Sequence, residues 1–285
     1  MKLFITGASG FIGSHLMNQA CISGHTVVAP IRNPRRKSRI PLLQEPVWIE
    51  KPMEELTPSD MEGCDVLIHL AAHTPNTPYD NLANCLHYNL TIPLQVFENA
   101  KKAGINHYVV AGTCFEYGRS GERYNFIPVD APLEPTSSYA ASKAASSIAF
   151  KQWAIEHNQS LAICRIFHVF GEGELNKRLW PSLRFSAHNG DNFPMTLGEQ
   201  VRDFISAEAV AKEFLRQAKD LQRNTQSIDT MNIGSGKPQT ILQFCEHWWS
   251  KWGAKGVLLP GALPYRTGEV MRYVPVISQS KSGLS

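Results

Sequence analysis

The sequence lacks the features that mark membrane, secreted and nucleic-acid-binding proteins. It contains no apolar run of about 18 residues, so we expect no membrane-spanning helix, and we expect the N-terminus to begin a strand and not a signal peptide. The net charge is only +3 over 285 residues, so no nucleic-acid partner is predicted. No internal repeat or low-complexity tract is visible. The expectation is a soluble globular protein.

The six cysteines are scattered, and no two of them stand in a Cys-x-x-Cys arrangement. This pattern favours reduced thiols and a cytoplasmic location over a disulfide framework or a zinc site. His69 and His73 lie close in the sequence, but no carboxylate or cysteine is spaced to complete a metal site with them. We therefore predict no metal centre.

What is present is an alternation of strand and helix patterns through the first half of the chain. The predicted strands are short apolar or β-branched runs at residues 3–6, 26–29, 66–70, 107–111 and 161–166. Longer segments with helical spacing separate these runs, which implies right-handed crossovers and a parallel sheet covered on both faces. The predicted fold is therefore α/β, a doubly wound parallel sheet of the Rossmann type.

Three glycines follow the first predicted strand in "KLFITGASGFIGSHL", at Gly7, Gly10 and Gly13. A glycine-rich turn between a strand and a helix offers backbone amides and a helix dipole to a pyrophosphate. The spacing is G-x-x-G-x-x-G and not the commoner G-x-G-x-x-G, and tight turns without a ligand supply the alternative explanation.

Tyr139 and Lys143 stand four residues apart in "SSYAASKAAS", and Thr113 lies upstream. Four residues are about one helical turn, so a phenol and an ammonium would project from one face. We expect the ammonium to lower the pKa of the phenol and so to make an acid/base pair. Taken alone, the two residues could equally be a surface pair on an amphipathic helix.

The glycine turn, the Tyr/Lys pair and several shorter motifs occur in the order found in the extended short-chain dehydrogenase/reductase family. The chain resembles that family, which includes sugar-nucleotide epimerases, dehydratases and reductases, over most of its length. The shorter matching motifs are "DVLIHLAA" from Asp65, "GTCFEYG" from Gly112, "VRDFISAEAV" from Val201, "NIGSG" from Asn232 and "YRTGE" from Tyr265.

The resemblance implies a two-part organisation and assigns residues to the cofactor and the chemistry. Residues 1–167 would form the dinucleotide-binding domain, with 201–215 returning to it. Residues 168–200 and 216–285 would form a smaller, irregular substrate lobe. Thr113, Tyr139 and Lys143 would be catalytic. The implied cofactor-binding residues are Gly7, Gly10, Phe11, Ile12, Gly13, Leu70, Ala71, Ala72, Asn89, Tyr139 and Lys143.

The end of the second predicted strand bears on which nicotinamide cofactor binds. An NAD site places an acidic residue there, whereas a 2′-phosphate requires that acid to be absent and a cation nearby. The segment "TVVAPIRNPRRKSR" has no acid, and Arg32 lies nearest the strand end. We predict that NADP(H) is favoured, with Arg32 as the phosphate ligand, and that NAD(H) stays possible. The basic residues after it, Arg35, Arg36, Lys37 and Arg39, could simply form a solvated loop.

The residues after Thr113 limit which reactions the site is expected to catalyse. Related 4,6-dehydratases carry an Asp-Glu pair there, but this sequence has Cys114 and Phe115, which disfavours a dehydratase. Reduction of a 4-keto-6-deoxy nucleotide-diphosphate sugar is the preferred interpretation, and "GTCFEYG" with "YRTGEVMRY" resembles 4-ketoreductases of surface-polysaccharide pathways. A nucleotide-sugar 4-epimerase is the alternative. A non-catalytic NADP-binding sensor or scaffold is a third.

Substrate contacts follow from the resemblance alone. Arg202 and Arg266 would bind the nucleotide diphosphate, although either could instead be a surface ion pair, Arg202 with Asp203 or Glu208 and Arg266 with Glu269. His168 stands where relatives commonly carry an Asn that contacts the substrate.

The family also implies a homodimer, held by the helices expected at residues 86–102 and 139–157. The second helix carries small residues together with Ile148, Phe150 and Trp153, which we expect to form an apolar self-complementary face. The alternative is that these residues simply pack under the C-terminal lobe.

Overall fold

Seven parallel strands form the central sheet of the protein, in a computed structural model that describes residues 1–35, 38–223, 226–266 and 268–277. Their order across the sheet is β10-β6-β5-β4-β1-β2-β3. The strands are β1 Lys2–Thr6, β2 Thr26–Pro30, β3 Val47–Ile49, β4 Val66–His69, β5 His107–Thr113, β6 Ser160–Ile166 and β10 Ile228–Ile233.

Strand β1 shows why these segments form the interior of a sheet. Its three central residues are apolar, and they alternate between faces: Leu3 and Ile5 pack into one core and Phe4 into the other. A parallel sheet is covered on both sides, so its central strands are apolar on both faces. The prediction of an α/β Rossmann-type sheet is confirmed.

Helices cover the two faces. On one face α1 (Phe11–Ile22) packs with α6 (Ala207–Arg223), and on the other α3 (Ile92–Lys102) packs with α4 (Ser138–Glu156). A short helix α2 (Leu82–Leu86) and one π-helical turn lead into α3. The strand order reverses between β1 and β4, so the crevice above these two strands is where a parallel α/β sheet binds its ligands.

The sequence-based domain division needs one correction. It assigned residues 216–285 to the smaller lobe, but α6 continues to Arg223 on the face of the large sheet, and β10 pairs along its whole length with β6. Buried apolar residues of α6 such as Phe214 and Leu221 explain why this stretch stays with the large sheet. The rest of the division stays a prediction.

Apart from the large sheet and the helices that cover it, the structure contains two short sheets and two further helices. Strand β9 (Val201–Ser206) lies between β11 (Pro238–Thr240) and β13 (Arg272–Tyr273) and also pairs with β7 (His168–Phe170). The second sheet joins β8 (Phe193–Met195) to β12 (Leu258–Pro260), and the helices are α5 (Leu179–Asn189) and α7 (Ile241–Lys251). Among the residues described, no helix is both long enough and apolar enough to cross a membrane.

Two of the three large side chains expected at a dimer face lie inside the subunit. Phe150 is fully buried and Trp153 is 7% exposed, and both pack against Phe97. The helical period turns these positions toward the sheet, while Ile148 (63%) and Ile155 (57%) face outward. The expectation that Phe150 and Trp153 form a self-complementary surface is therefore wrong.

Candidate active site

The glycine turn after β1 is closely packed against neighbouring backbone. Gly7 adopts φ +73°, and a Cβ on it would stand 2.7 Å from the backbone nitrogen of Ala71. A Cβ on Gly13 would stand 2.2 Å from the carbonyl oxygen of Gly7. These two glycines are thus required by the left-handed conformation and by close backbone approach. The bare backbone they leave is a cradle for a ligand.

Helix α1 begins directly at this turn. Gly10 is its N-cap, Phe11 and Ile12 are its first residues, and no acidic residue lies in its first turn. The unpaired N–H groups and positive end of the dipole suit an anion. The segment after β4 runs alongside, where Ala71 N donates to Thr6 Oγ1 at 3.4 Å. The structure thus brings Leu70 and Ala71 beside Gly7 of the glycine turn, and the cofactor contacts of Leu70, Ala71 and Ala72 stay a prediction.

Asn89 acts on that same segment through hydrogen bonds. Its Oδ1 accepts from His73 N at 2.7 Å, and its Nδ2 donates to His73 O at 3.3 Å and to Ser142 Oγ at 3.0 Å. The side chain is buried, with both polar atoms occupied. Asn89 therefore anchors the backbone after β4 to α4, and its predicted part in cofactor binding would be indirect.

His69 contacts the same region from inside the sheet. It bonds Thr6 Oγ1 through Nδ1 at 2.8 Å, and burial lowers its pKa to about 3. A neutral, enclosed imidazole of this kind is a structural residue.

The carboxyl end of β2 carries basic residues and no carboxylate through residue 35. Arg32 and Arg35 are exposed, and the Arg32 side chain has no hydrogen-bond partner among the described residues. Arg39 lies beside the start of α1, where its N–H donates to Ser14 Oγ at 3.0 Å. Arg36 and Lys37 lie outside the described residues.

Thr113, Tyr139 and Lys143 converge at the carboxyl end of β5. Thr113 ends that strand, and Tyr139 and Lys143 lie one turn apart at the start of α4. All three are less than 9% exposed. Lys143 Nζ donates to the backbone oxygen of Ala111 at 2.7 Å, which places its ammonium against β5 just below Thr113. The pair is thus a buried one facing the sheet and not a surface pair.

The pKa expected for Tyr139 is wrong in direction. Burial raises the pKa of this phenol, the charges of Glu116 and Cys114 raise it further, and a hydrogen bond with Thr113 acts in the opposite sense. The pKa of Lys143 is lowered by burial, against the opposing effect of Glu116. Desolvation is the largest effect on the pKa of Tyr139, and it holds the phenol in the protonated form that a proton donor needs.

The positions after Thr113 offer no carboxylic acid to a substrate. Cys114 is buried, which raises the pKa of its thiol to about 12, and Phe115 is 39% exposed. Glu116 follows, but its carboxylate is fully buried and bonded to Thr113 N and Arg165. Glu116 could have been found from the sequence, because Thr-x-x-Glu is the pattern of a helix capping box.

Tyr79 is a second residue that the sequence did not reveal. Its ring stacks on that of Tyr139, with centroids 5.8 Å apart and an interplanar angle of 11°. The loop that carries it is attached to α4 because Ser138 Oγ donates to Asp80 O at 2.6 Å, and it is braced by a 2.8 Å contact between His73 Nε2 and Asp80 Oδ2. No periodicity marks such a loop, so only the folded chain brings Tyr79 to the phenol.

The two arginines assigned to the substrate diphosphate differ in surroundings. Arg202 is 8% exposed and is paired with Glu269 at 3.1 Å, not with Asp203, whose carboxylate accepts two backbone N–H groups of the 235–236 turn. Arg266 is exposed. Their contacts with a diphosphate stay a prediction.

His168 lies at the start of β7, with its ring 6.1 Å from that of Phe204 on β9. Its Nδ1 is enclosed and has no hydrogen-bond partner among the described residues. Burial lowers the pKa of this imidazole to about 3, helped by the charges of Arg202 and Arg178. A neutral imidazole with one free ring nitrogen can replace an Asn as a hydrogen-bonding group toward a substrate.

Glu174 lies six residues beyond His168 in the chain and is also incompletely bonded. Its Oε2 is enclosed without a partner among the described residues, and Arg178 Nε reaches Oε1 only at 3.4 Å. Burial raises the pKa of this carboxyl to about 7. The loop after β7 thus contains a carboxyl group that can change its charge near neutral pH.

Comparison with known proteins agrees with this geometry. The profile described as "NAD dependent epimerase/dehydratase family" matches residues 3–234. The CDP-abequose synthase of Salmonella muenchen is 24% identical over 274 residues, which cover 95% of this chain and 87% of the relative. The GDP-6-deoxy-D-mannose reductase of Pseudomonas aeruginosa is 27% identical over 271 residues, or 86% of this chain and 78% of the relative.

Among solved structures, the UDP-glucose 4-epimerase of Stenotrophomonas maltophila superposes with a TM-score of 0.85. That structure holds NAD and formylated UDP-arabinopyranose, and the match covers 98% of this chain and 90% of that one. The identity is 19%, so this likeness concerns the fold.

Proposed function

The chain belongs to the NAD dependent epimerase/dehydratase family, and from this premise we propose that it is an NADP(H)-dependent reductase of 4-keto-6-deoxy nucleotide-diphosphate sugars. Its product would be a deoxysugar nucleotide for surface polysaccharide synthesis. The observation that carries the proposal is the combination of the Thr113–Tyr139–Lys143 site with a β2 end that has Arg32 and no acid.

The glycine turn fits a dinucleotide. Side chains at Gly7 and Gly13 would collide with backbone, so the turn presents bare N–H groups beside the acid-free start of α1. When bound, the nicotinamide supplies the hydride. Gly7, Gly10, Phe11, Ile12, Gly13, Leu70, Ala71 and Ala72 would hold it, Asn89 would brace the last of these, and Arg32 would meet the 2′-phosphate.

The chain's own residues would complete the reduction at the substrate oxygen. Tyr139 donates its phenolic proton to the keto oxygen as the carbonyl carbon receives the hydride, so a C–H and an O–H bond form and the phenol becomes a phenolate. The ammonium of Lys143 stabilises that phenolate, and the Thr113 hydroxyl hydrogen-bonds the same oxygen. Arg202, Arg266 and His168 would bind the diphosphate and the sugar.

The residues present argue against dehydration. Elimination of water from the sugar needs a carboxylic acid and a carboxylate near Thr113, and Cys114 and Phe115 supply neither. Epimerisation is the second candidate, because Thr113, Tyr139 and Lys143 serve both reactions equally. The two differ in their cofactor: an epimerase retains and regenerates NAD, whereas a reductase exchanges NADPH at each turnover.

The test is a screen of the purified protein against 4-keto-6-deoxy sugar nucleotides with NADPH and NADH, monitored at 340 nm. We expect oxidation of NADPH. Interconversion of 4-epimers by protein that purifies with bound NAD would favour the epimerase. Cofactor binding with neither activity would favour the sensor or scaffold.

Cofactor choice can be tested at Arg32. We expect Arg32→Ala to weaken NADPH binding by about 1.5–3 kcal/mol, the scale of a hydrogen bond to a charged group, and to leave NADH binding almost unchanged. Arg223→Ala, an exposed arginine at the end of α6, is the control. Equal losses for both cofactors would mean that Arg32 only shapes its loop.

We also propose a homodimer that forms through the exposed side of α4. The helical segment at residues 86–102 would lie beside α4 in that interface. Ile148 and Ile155 project from α4, and Ala141, Ala145 and Ala149 of the same helix are only partly buried. Small residues let helices approach closely, and an exposed apolar stripe gains from burial against its own copy.

A further inference from the structure

Glu116 is a fully buried carboxylate directly behind the catalytic residues. It lies in the short helical turn that follows β5, three residues after Thr113. Its Oε1 accepts the Thr113 N–H at 2.8 Å, while Thr113 Oγ1 accepts the Phe115 N–H at 3.3 Å. This reciprocal capping box fixes the backbone that carries the Thr113 hydroxyl.

The other carboxylate oxygen connects the turn to two further elements. Oε2 accepts from Arg165 Nε on β6 at 2.9 Å and from Ser147 Oγ on α4 at 2.8 Å. Ser147 lies one turn beyond Lys143 on α4. One side chain thus ties together the three elements that meet at the site: the end of β5, the strand next to it and the helix of Tyr139 and Lys143.

Arg165 is itself held in place, so the ion pair is rigid. Its Nη1 donates to Tyr117 OH at 3.0 Å and to Val129 O at 2.9 Å, and its guanidinium lies over the Tyr117 ring at 4.7 Å. Tyr117 in turn donates to Asn232 Oδ1 at 2.6 Å. A buried charge is stabilised only when partners satisfy it in this way.

The chain also makes room for this carboxylate. A Cβ on Gly112 would stand 2.7 Å from Glu116 Oε1 and 3.1 Å from Arg165 Cγ. Any larger residue at position 112 would therefore displace the ion pair. The glycine before Thr113 is explained by this contact.

Glu116 also acts electrostatically on both members of the acid/base pair. Its negative charge adds to the effect of burial on Tyr139, favouring the neutral phenol, and it opposes the effect of burial on Lys143, favouring the ammonium. Charges in a water-poor site act more strongly than at the surface. Both effects favour the protonation states that a reductase needs before hydride transfer.

We propose that Glu116 is a positioning residue of the reaction, which holds Thr113 in place and fixes α4, with Tyr139 and Lys143, against β5 and β6 through its buried bonds to Arg165 and Ser147. This proposal rests on the proposed function. The titratable or charged groups that face Glu116 are Cys114 and Tyr117 on its own segment, Arg165 on β6, and Tyr139, Lys143 and Lys151 on α4.

The experiment compares the wild-type protein with Glu116→Gln, Glu116→Asp and Glu134→Gln. Glu134 is the matched control, because it also pairs with an arginine but is exposed. Each protein is assayed, on whichever of reduction or epimerisation the wild type catalyses, for kcat and KM between pH 5.5 and 10. Cofactor affinity and thermal unfolding are measured in parallel.

We expect Glu116→Gln to lower kcat by ~10- to ~100-fold, as misplacement of a catalytic group does, with KM and cofactor Kd changed by less than about threefold. The high-pH limb of kcat should move to lower pH by about one unit, because the charge that favours the neutral phenol is gone. Glu116→Asp keeps the charge but is too short to reach Thr113 N–H. It should therefore lower kcat without moving that limb. Glu134→Gln should behave as the wild type.

A folded Glu116→Gln protein with wild-type kcat and pH profile would overturn the proposal. Equal losses in kcat, KM, cofactor affinity and melting temperature would also overturn it, since they would mean only a structural role. If Glu116→Gln does not fold, Glu116→Asp decides: a lowered kcat with an unmoved pH limb supports the proposal, and wild-type kcat refutes it. Failure of the wild type to reduce any keto sugar would instead count against the proposed function alone.

Discussion

Replacement of Gly13 by alanine tests the packing of the glycine turn. Gly13 lies in the first turn of α1, where helix propensity alone predicts that alanine is better than glycine by about 0.8–1.0 kcal/mol. The structure predicts the opposite sign. The added Cβ would stand 2.2 Å from Gly7 O, 2.6 Å from Ala8 O and 2.7 Å from Ala8 Cα, where ordinary contact begins near 3.4 Å.

The magnitude follows from which atoms can move. All three neighbours are backbone, and Gly7 is held at φ +73° against Leu70 and Ala71, so the turn cannot yield without losing its shape. Overpacking of this kind costs about 1–3 kcal/mol, occasionally more. After the gain in propensity of about 1 kcal/mol, we expect a net loss of up to about 2 kcal/mol of unfolding free energy. Cofactor affinity should fall by at least about tenfold, or 1.4 kcal/mol, because the turn is the proposed pyrophosphate site.

The assay combines thermal unfolding by circular dichroism with a fluorescence titration of NADPH. Gly24→Ala is the control, since Gly24 also has a positive φ of +69° but an added Cβ there meets nothing within 4 Å. It should lose about 1–2 kcal/mol through backbone strain and keep its NADPH affinity. Both variants should therefore be less stable than the wild type, but only Gly13→Ala should have a higher Kd for NADPH.

The reasoning would be refuted by a Gly13→Ala protein that melts higher than the wild type and binds NADPH equally well. That result would mean that the turn relaxes easily and that helix propensity dominates.

Other changes test separate parts of the structure. Tyr139→Phe should lower turnover by ~100- to ~10,000-fold with NADPH affinity nearly intact, and more than a tenth of the wild-type rate would contradict its role as proton donor. Trp153→Ala should cost about 3–5 kcal/mol of stability without changing the sedimentation coefficient, whereas Ile148→Glu should dissociate the proposed dimer; a monomeric wild type would refute that dimer. Glu174 has a folded-state pKa of about 7, above its ordinary 4.5, so its contribution to stability is present below pH 4.5 and is lost as the pH rises through 7. Glu174→Gln should therefore raise the unfolding free energy at pH 8.5 by up to about 3 kcal/mol, which appears as a higher melting temperature. At pH 4.5 it should change the melting temperature little. An effect of the same size at both pH values would argue against a buried ionisable group.

The pKa of Tyr139 is shifted in the direction opposite to the one that the sequence suggested. The sequence places an ammonium one turn away and so predicts a lowered phenol pKa. In the folded protein that ammonium is bonded to Ala111 O, and burial with the nearby Glu116 raises the phenol pKa instead. The direction of this pKa shift depends on interatomic distances and on desolvation, and residue spacing specifies neither of them.

Features that depend on neighbours along the chain could be predicted before folding was considered. Apolar runs with the period of strands located β1, β2, β4, β5 and β6, and the glycine spacing located the turn, because these patterns arise from local backbone geometry. The Tyr139–Lys143 spacing likewise placed both side chains on one helical face. Strand β3 has only three residues, which is too short for a strand pattern to be recognised in the sequence.

Features that depend on contacts between distant segments became visible in the folded chain. It returned β10 to the large sheet, turned Trp153 into the core, stacked Tyr79 on Tyr139 and joined Glu116 to Arg165 across 49 positions of the chain. Such pairs bring together residues whose separation follows no period. Their burial and charge are properties of the packed molecule, since desolvation exists only once the surrounding atoms are in place.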